Sequence, residues 1–324
     1  MTTTAPTHRT PTPVSPVLGT MLFGTGVDEP TAFALLDRFV ERGGQWIDTA
    51  DCYAFWLSGS GRGGQSEEVI GRWLRARPGM RERVRISTKT GAEPVTPGAA
   101  AGPRAGLSAP VLREAFEGSR RRLGVDRVDL FWIHMEDRAT PIEETVGTLA
   151  ELTGSGLAER VGASNHPAWL VERARALAVA AGARPIDAIQ LSHSYLRTRP
   201  EAAANEHPFG ELSDEQLNHA ARNAVEVWAY SPLLRGAYDD ADKPMPDGYD
   251  HPGSRAKLRV LREVAAELEV TPGQVVLAHM AGRAVPILPI VGVSRMWQLD
   301  AAFDAMGLRL PDGIRARLDA AGTG

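Results

Sequence analysis

Val128-Asp129-Leu130-Phe131-Trp132-Ile133-His134 reads as a strand that is apolar almost throughout and ends in a group able to move a proton. A near-continuous apolar run suits a strand buried on both faces, as in a parallel sheet. Upstream, Trp46-Ile47-Asp48-Thr49-Ala50-Asp51-Cys52-Tyr53 and Val84-Arg85-Ile86-Ser87-Thr88-Lys89 repeat the plan: β-formers, then residues with acid–base chemistry. An Asp, a Tyr, a Lys and a His therefore collect just past the ends of three apolar strands. In a parallel barrel, reactive groups gather at the carboxyl ends of the strands.

The same rhythm continues in both directions. Residues 14–23 form a β segment with a break at Gly19, and further strands are predicted over 45–50, 83–88, 128–133, 160–164, 187–191, 225–230 and 285–291. Helices are predicted between them over 31–42, 66–74, 108–123, 141–153, 167–181, 214–222, 254–268 and 272–281, with a last one over 298–306. In the first, Phe33, Leu36 and Phe39 share one face at helical spacing. In the second, Ser66 is expected as N-cap, with Glu67 and Glu68 in the first turn. Strands alternating with helices predict an α/β fold with a parallel sheet. Eight such units in about 280 residues favour a closed (β/α)8 barrel, the TIM-barrel architecture, over an open sheet. One domain is expected over 15–324. The Thr/Pro-rich stretch 1–14 reads as a flexible N-terminal tail and not a signal peptide. Three long Gly/Pro-rich loops, 53–65, 91–107 and 235–253, follow strand ends on one face and are expected to wall or cover a pocket.

Composition narrows the classes. Of 324 residues 43% are hydrophobic and 23% charged, enough to bury a sizeable core. The net charge of −4 argues against nucleic acid or an anionic membrane as the main partner. No apolar run approaches the roughly 18 residues of a membrane span. Cys52 is the only cysteine. It permits no intramolecular disulfide, no cysteine-based metal site is expected, and a reducing cytoplasm fits.

The four reactive groups make a chemical set. A phenol titrates near pH 10 and donates a proton near neutrality only if positive charge stabilises its phenolate. Lys89 can supply that charge for Tyr53, and Asp48 can pair with Lys89 and hold it. His134 can donate a hydrogen bond to a carbonyl oxygen where negative charge builds. Together they suit protonation of an oxygen while hydride arrives at its carbon. Two other features point elsewhere. Gly59-Ser60-Gly61-Arg62-Gly63-Gly64 satisfies G-x-G-x-x-G, but its strand ends near Ala50, too early for a dinucleotide turn; it reads as a flexible loop. His193 could join Asp48 and His134 as metal ligands of a barrel hydrolase, against which stand the missing His-x-His pair and the cationic Lys89.

Asp48 and Tyr53, Ser87-Thr88-Lys89-Thr90-Gly91 and Phe131-Trp132-Ile133-His134 resemble the three catalytic segments of the aldo-keto reductases. Gly19-Thr20-Met21 with Phe23-Gly24, Ser66-Glu67-Glu68 with Gly71, and Ser119, Arg122, Leu123, Gly124 with Asp129-Leu130 extend the likeness. So do Gly162-Ala163-Ser164-Asn165, Gln190, and Ala229-Tyr230-Ser231-Pro232-Leu233 with Gly236, and coverage runs from about Pro16 to Leu310. The resemblance implies a reductase of aldehydes or ketones using NADPH (NADP+), with NADH the lesser alternative. It casts Tyr53 as general acid, Lys89 as the group that lowers its pKa, Asp48 as support and His134 as the residue orienting the carbonyl. It assigns Ser164, Asn165 and Gln190 to the nicotinamide carboxamide, Tyr230 to the ring, and Ser231 and Leu233 to the pyrophosphate region, with Gly236 also in the cofactor-binding set. Ser294, Arg295 and Gln298 align with the 2′-phosphate segment, where an Arg fork suits phosphate oxygens. Gly19, Thr20 and Met21 join the cofactor-binding set. No metal is expected, and the partner is a small carbonyl compound.

The chain departs from the family where Ala301-Ala302 replaces a Glu-Asn pair that contacts adenine, which puts that contact in doubt. Phe55 and Trp56 either line an apolar substrate wall or plug the loop onto the barrel rim. The segment with Tyr238, Asp239 and Asp240 either straps the pyrophosphate or faces substrate or solvent. A nicotinamide-binding sensor with little turnover is the alternative function, and a metal-dependent barrel hydrolase a third. Substrate and oligomeric state are not legible.

Overall fold

The computed structural model describes residues 15–202 and 210–322; the expected tail 1–14 lies outside them. Eight parallel strands close into one barrel in chain order. They are β1 (Val17–Gly19), β2 (Trp46–Asp48), β3 (Arg85–Thr90), β4 (Val128–Ile133), β5 (Ala158–Ser164), β6 (Ala188–Ser192), β7 (Glu226–Tyr230) and β8 (Ile287–Gly292). Between them run α1 (Glu29–Glu41), α2 (Gln65–Ala76), α3 (Ala109–Leu123), α4 (Ile142–Gly154), α5 (Ala168–Ala180), α6 (Asp214–Asn223), α7 (Pro252–Glu267) and α8 (Pro272–Ala281). After β8 come α9 (Met296–Gly307) and α10 (Asp312–Ala320).

Side chains alternate across each strand. Ile47, Ile86, Phe131, Ile133, Val161 and Ile189 face outward into one large core shared with the helices. Trp46, Leu130, Trp132, Ala188, Trp228 and Ile290 form a separate cluster inside the barrel. Gly162 is what admits the Trp132 indole: a Cβ there would fall 2.3 Å from the ring. Closure is double. β1 pairs with β8 through Val17–Ile290, Leu18–Val291 and Gly19–Gly292. Outside, Arg38 and Arg42 of α1 reach Asp300 of α9 at 2.9 and 2.6 Å, and Arg42 reaches Asp304 at 2.7 Å.

Three sequence expectations change. β3 runs two residues past Thr88, because Lys89 and Thr90 keep pairing with β4. α2 is capped by Gly64 at φ 107°, and Ser66 lies buried within the first turn, bonded to Thr20 and Thr49. α10 was not expected; the Tyr195 hydroxyl donates to its Leu318 carbonyl at 2.9 Å, and Asp319 meets His279 at 2.8 Å. Among the described residues, no helix is long and apolar enough to cross a membrane.

Candidate active site

The barrel ladder does not stop where the strands end. The Asp51 amide donates to the Lys89 carbonyl and the His134 amide to the Thr90 carbonyl, both at 3.0 Å. The segments leaving β2 and β4 are thereby drawn together above β3. A turn at Ala50 then brings Tyr53 back over the barrel mouth.

Lys89 sits at the centre, fully buried. An ammonium has three hydrogens, and three acceptors surround it: Asp48 Oδ2 at 2.5 Å, the Thr49 carbonyl at 2.8 Å and the Tyr53 oxygen at 2.8 Å. Asp48 is buried as well and also accepts from Ser87 Oγ at 2.6 Å and Gln190 Nε2 at 3.3 Å. A buried charge pair persists only when its remaining atoms are bonded in this way. The His134 ring meets the Tyr53 ring edge-on at 5.9 Å. The four expected catalytic residues are therefore brought together.

Their protonation states follow from burial. Burial pushes the Tyr53 phenol well above its ordinary value, and the Asp48 charge pushes it the same way. Tyr53 is thus held as a neutral phenol, the form that gives a proton. Burial, then the nearby Lys89 charge, drives His134 well below the usual imidazole value, so the ring is neutral. Cys52, buried, lies 3.5 Å from His134 Nδ1. Burial pushes its thiol well up, so a neutral thiol faces Nδ1, and the ring tautomer sets which of the two donates. The sequence reading missed this contact. Its only signal was Cys52 immediately before Tyr53.

The expected cofactor residues lie around this centre. Ser164 ends β5 in register with Gln190. Asn165, at φ 62°, donates to the His134 carbonyl at 2.9 Å and Ser164 Oγ at 3.1 Å, and accepts from the Tyr230 hydroxyl at 2.9 Å. Ser231, Leu234, Arg235 and Gly236 all have positive φ, a backbone suited to turning amides toward an anion. Leu233 lies within this turn. Arg295 is exposed at the start of α9. Gln298 Oε1 accepts from the Ser294 and Arg295 amides at 2.8 and 3.1 Å, and the Arg295 guanidinium donates to the Ser294 carbonyl at 3.2 Å. Ala302 is buried and Ala301 has no polar side-chain atom, so neither supplies the adenine contact. Gly19 packs against Ile290, Met21 is exposed, and the buried Thr20 hydroxyl is engaged by the Asp48 carbonyl and Ser66. An exposed guanidinium, amide-rich turns and a polar floor fit a nicotinamide cofactor.

The open alternatives resolve locally. Phe55 is buried on Ala50 and Cys52, a plug, while Trp56 is 47% exposed. The glycine-rich loop is tied down rather than free: Arg62 donates to the Pro94 and Val95 carbonyls, and the Gly98 amide to Gly61. Asp239 accepts from Thr271 Oγ1 and the Gly273 amide at the start of α8, and Tyr238 donates or accepts at Ser194. That segment is thus anchored to the barrel wall. Among the described residues, Asp48, His134 and His193 do not assemble metal-ligand atoms.

Known proteins match this arrangement. A family model described as "Aldo/keto reductase family" matches residues 17–322. The chain is 29% identical over 319 residues to norsolorinic acid reductase stcV of Emericella nidulans, covering 92% of this chain and 76% of that one. It is 27% identical over 312 residues to aldo-keto reductase yakc [NADP(+)] of Schizosaccharomyces pombe, covering 90% and 82%. The crystal structure of the thermostable aldo-keto reductase Tm1743 with the inhibitor epalrestat superposes with a TM-score of 0.70 at 25% identity, covering 94% of this chain and 93% of that one. With eight parallel strands closed in order and the match running nearly end to end, the chain belongs to the aldo/keto reductase family.

Proposed function

We propose that this nicotinamide-dependent oxidoreductase reduces an aldehyde or ketone to an alcohol, preferring NADPH, with Tyr53 as general acid. The observation that carries the reading is the buried Lys89 bonded at once to Asp48 and Tyr53. The reduced nicotinamide, when bound, supplies hydride to the carbonyl carbon. Tyr53 gives its proton to the carbonyl oxygen, and the phenolate left behind stays bonded to the Lys89 ammonium. His134 Nε2–H orients that oxygen and favours the charge developing there. Asp48 keeps Lys89 charged and in place. Arg295 binds the 2′-phosphate through its planar fork.

Tyr53→Phe tests the acid. NADPH oxidation with a reactive aromatic aldehyde is expected to fall by about 10²–10⁴-fold while cofactor still binds. Turnover at the wild-type rate would end the assignment. Arg295→Ala tests the cofactor choice. NADPH binding is expected to weaken by about 1.5–3 kcal/mol, the strength of a charge-assisted hydrogen bond, with NADH little changed. Equal weakening of both would remove Arg295 from the 2′-phosphate.

A further inference from the structure

We propose that Asp51, Cys52 and His134 form a binding site for a thiophilic divalent cation of the zinc class, and that its occupation arrests turnover. One ligand atom from each of the three lies within 4.8 Å of the other two. The Cys52 Sγ to His134 Nδ1 distance is 3.5 Å. Tetrahedral zinc, with bonds of about 2.3 Å to sulfur and about 2.0 Å to nitrogen, sets its two ligand atoms about 3.5 Å apart. The pair is spaced for the ion, and an Asp51 carboxylate oxygen lies within 4.8 Å of both.

Asp51 supplies the independent sign of a ligand. It is 8% exposed, and its Oδ1 is buried without a hydrogen-bond partner. A buried carboxylate oxygen left unbonded is costly, and an ion satisfies it. The charges also balance: a carboxylate and a thiolate neutralise a divalent ion, and neutral imidazole completes three ligands with a fourth position open. The other charged groups near the trio are already engaged. Lys89 is paired with Asp48, Glu67 with Arg122 at 2.7 Å, and Glu93 through Oε1 with Arg62 at 3.6 Å, its Oε2 being buried without a hydrogen-bond partner. His166, the other neighbouring imidazole, bonds the Ser164 carbonyl. One cysteine thus suffices where the sequence reading expected no cysteine-based site, because the ladder above β3 brings in the other two ligands.

Burial pushes both the Asp51 carboxyl and the Cys52 thiol up. Arrest follows from position. The ion takes His134 Nδ1 and fixes the two residues that directly precede Tyr53. Binding stands whether or not the protein is a reductase; arrest rests on the reductase reading.

Cadmium is the probe, because its bond to thiolate absorbs in the ultraviolet whereas the zinc bond is silent. Titration of the full chain is expected to give one thiolate band per molecule. Cys52→Ser is expected to abolish the band, and Asp51→Asn to weaken binding about tenfold or more. No band in wild type, or unchanged affinity in both variants, overturns the site. In parallel, zinc is expected to stop NADPH oxidation by wild type, with recovery on chelation. A cadmium band with full turnover in saturating zinc overturns the arrest alone. A band from a protein that never turns over overturns the reductase reading and leaves the site standing.

Discussion

The inside of the barrel has two layers, and they are held by opposite means. Along β2, β4, β6 and β7 the inward positions read Trp46, Trp132, Ala188 and Trp228 low in the barrel, then Asp48, His134, Gln190 and Tyr230 one step higher. The lower layer is buried throughout, and in the upper one Asp48 and Gln190 are buried while His134 and Tyr230 are partly exposed. The lower is fixed by shape: Trp228 packs edge-on against Trp46 at 5.1 Å and Trp132 at 5.2 Å. The upper is fixed by hydrogen bonds, with Asp48 accepting from Ser87, Lys89 and Gln190. A shape-held layer tolerates only volume-matched changes. A bond-held layer can set the protonation state of each member, which is what proton transfer needs.

Exchanging one kind of layer for the other is the severest test. Lys89→Met leaves Asp48 buried and unpaired and is expected to cost about 3–5 kcal/mol in urea unfolding. Asp48→Asn with Lys89→Met removes both charges and is expected to recover most of that loss, while turnover stays abolished. A double variant as unstable as the single one would mean that the upper layer is also held by shape. In the lower layer, Gly162→Ala drives a methyl into the Trp132 ring and is expected to cost up to about 3 kcal/mol by the same measurement. No loss would show that the indole stack has slack.

The smallest effect comes from proton linkage above the barrel. Burial lowers His166 to about 4. Below about pH 6.5 the unfolded chain takes up a proton that folded His166 refuses until about pH 4, so stability falls as pH falls through this window. From pH 7 to 5 the expected loss is about 2 kcal/mol from this residue. His134 and His193 act in the same direction, while Asp51 and Glu93, both raised by burial, act against it. The difference between wild type and His166→Asn isolates the contribution. Identical pH slopes would exclude it.

The fold was legible because its strands are buried on both faces. β4 was bounded correctly, since Val128 to Ile133 is apolar but for Asp129, which accepts the Ile86 amide at 2.7 Å. β3 was cut short because its last inward residue is Lys89, and a polar residue in a strand looks like the start of a loop. The four catalytic candidates were legible from types and spacing. The Asp51–Cys52–His134 cluster was not, because it depends on two loops converging over a third strand. Glu67 and Glu68 do lie in the first turn, but the cap falls two residues before Ser66, because Gly64 opens the helix through a backbone angle no side chain advertises.

The indole trio has one more consequence. Three strongly absorbing rings held edge-on at about 5 Å in a chiral, water-free enclosure couple optically and make the closed barrel visible in near-ultraviolet circular dichroism. They belong to three different strands, so the coupled signal exists only while the ring of strands is shut. The reactive layer rests directly on this reporter, and binding at the mouth can be followed through it without a label.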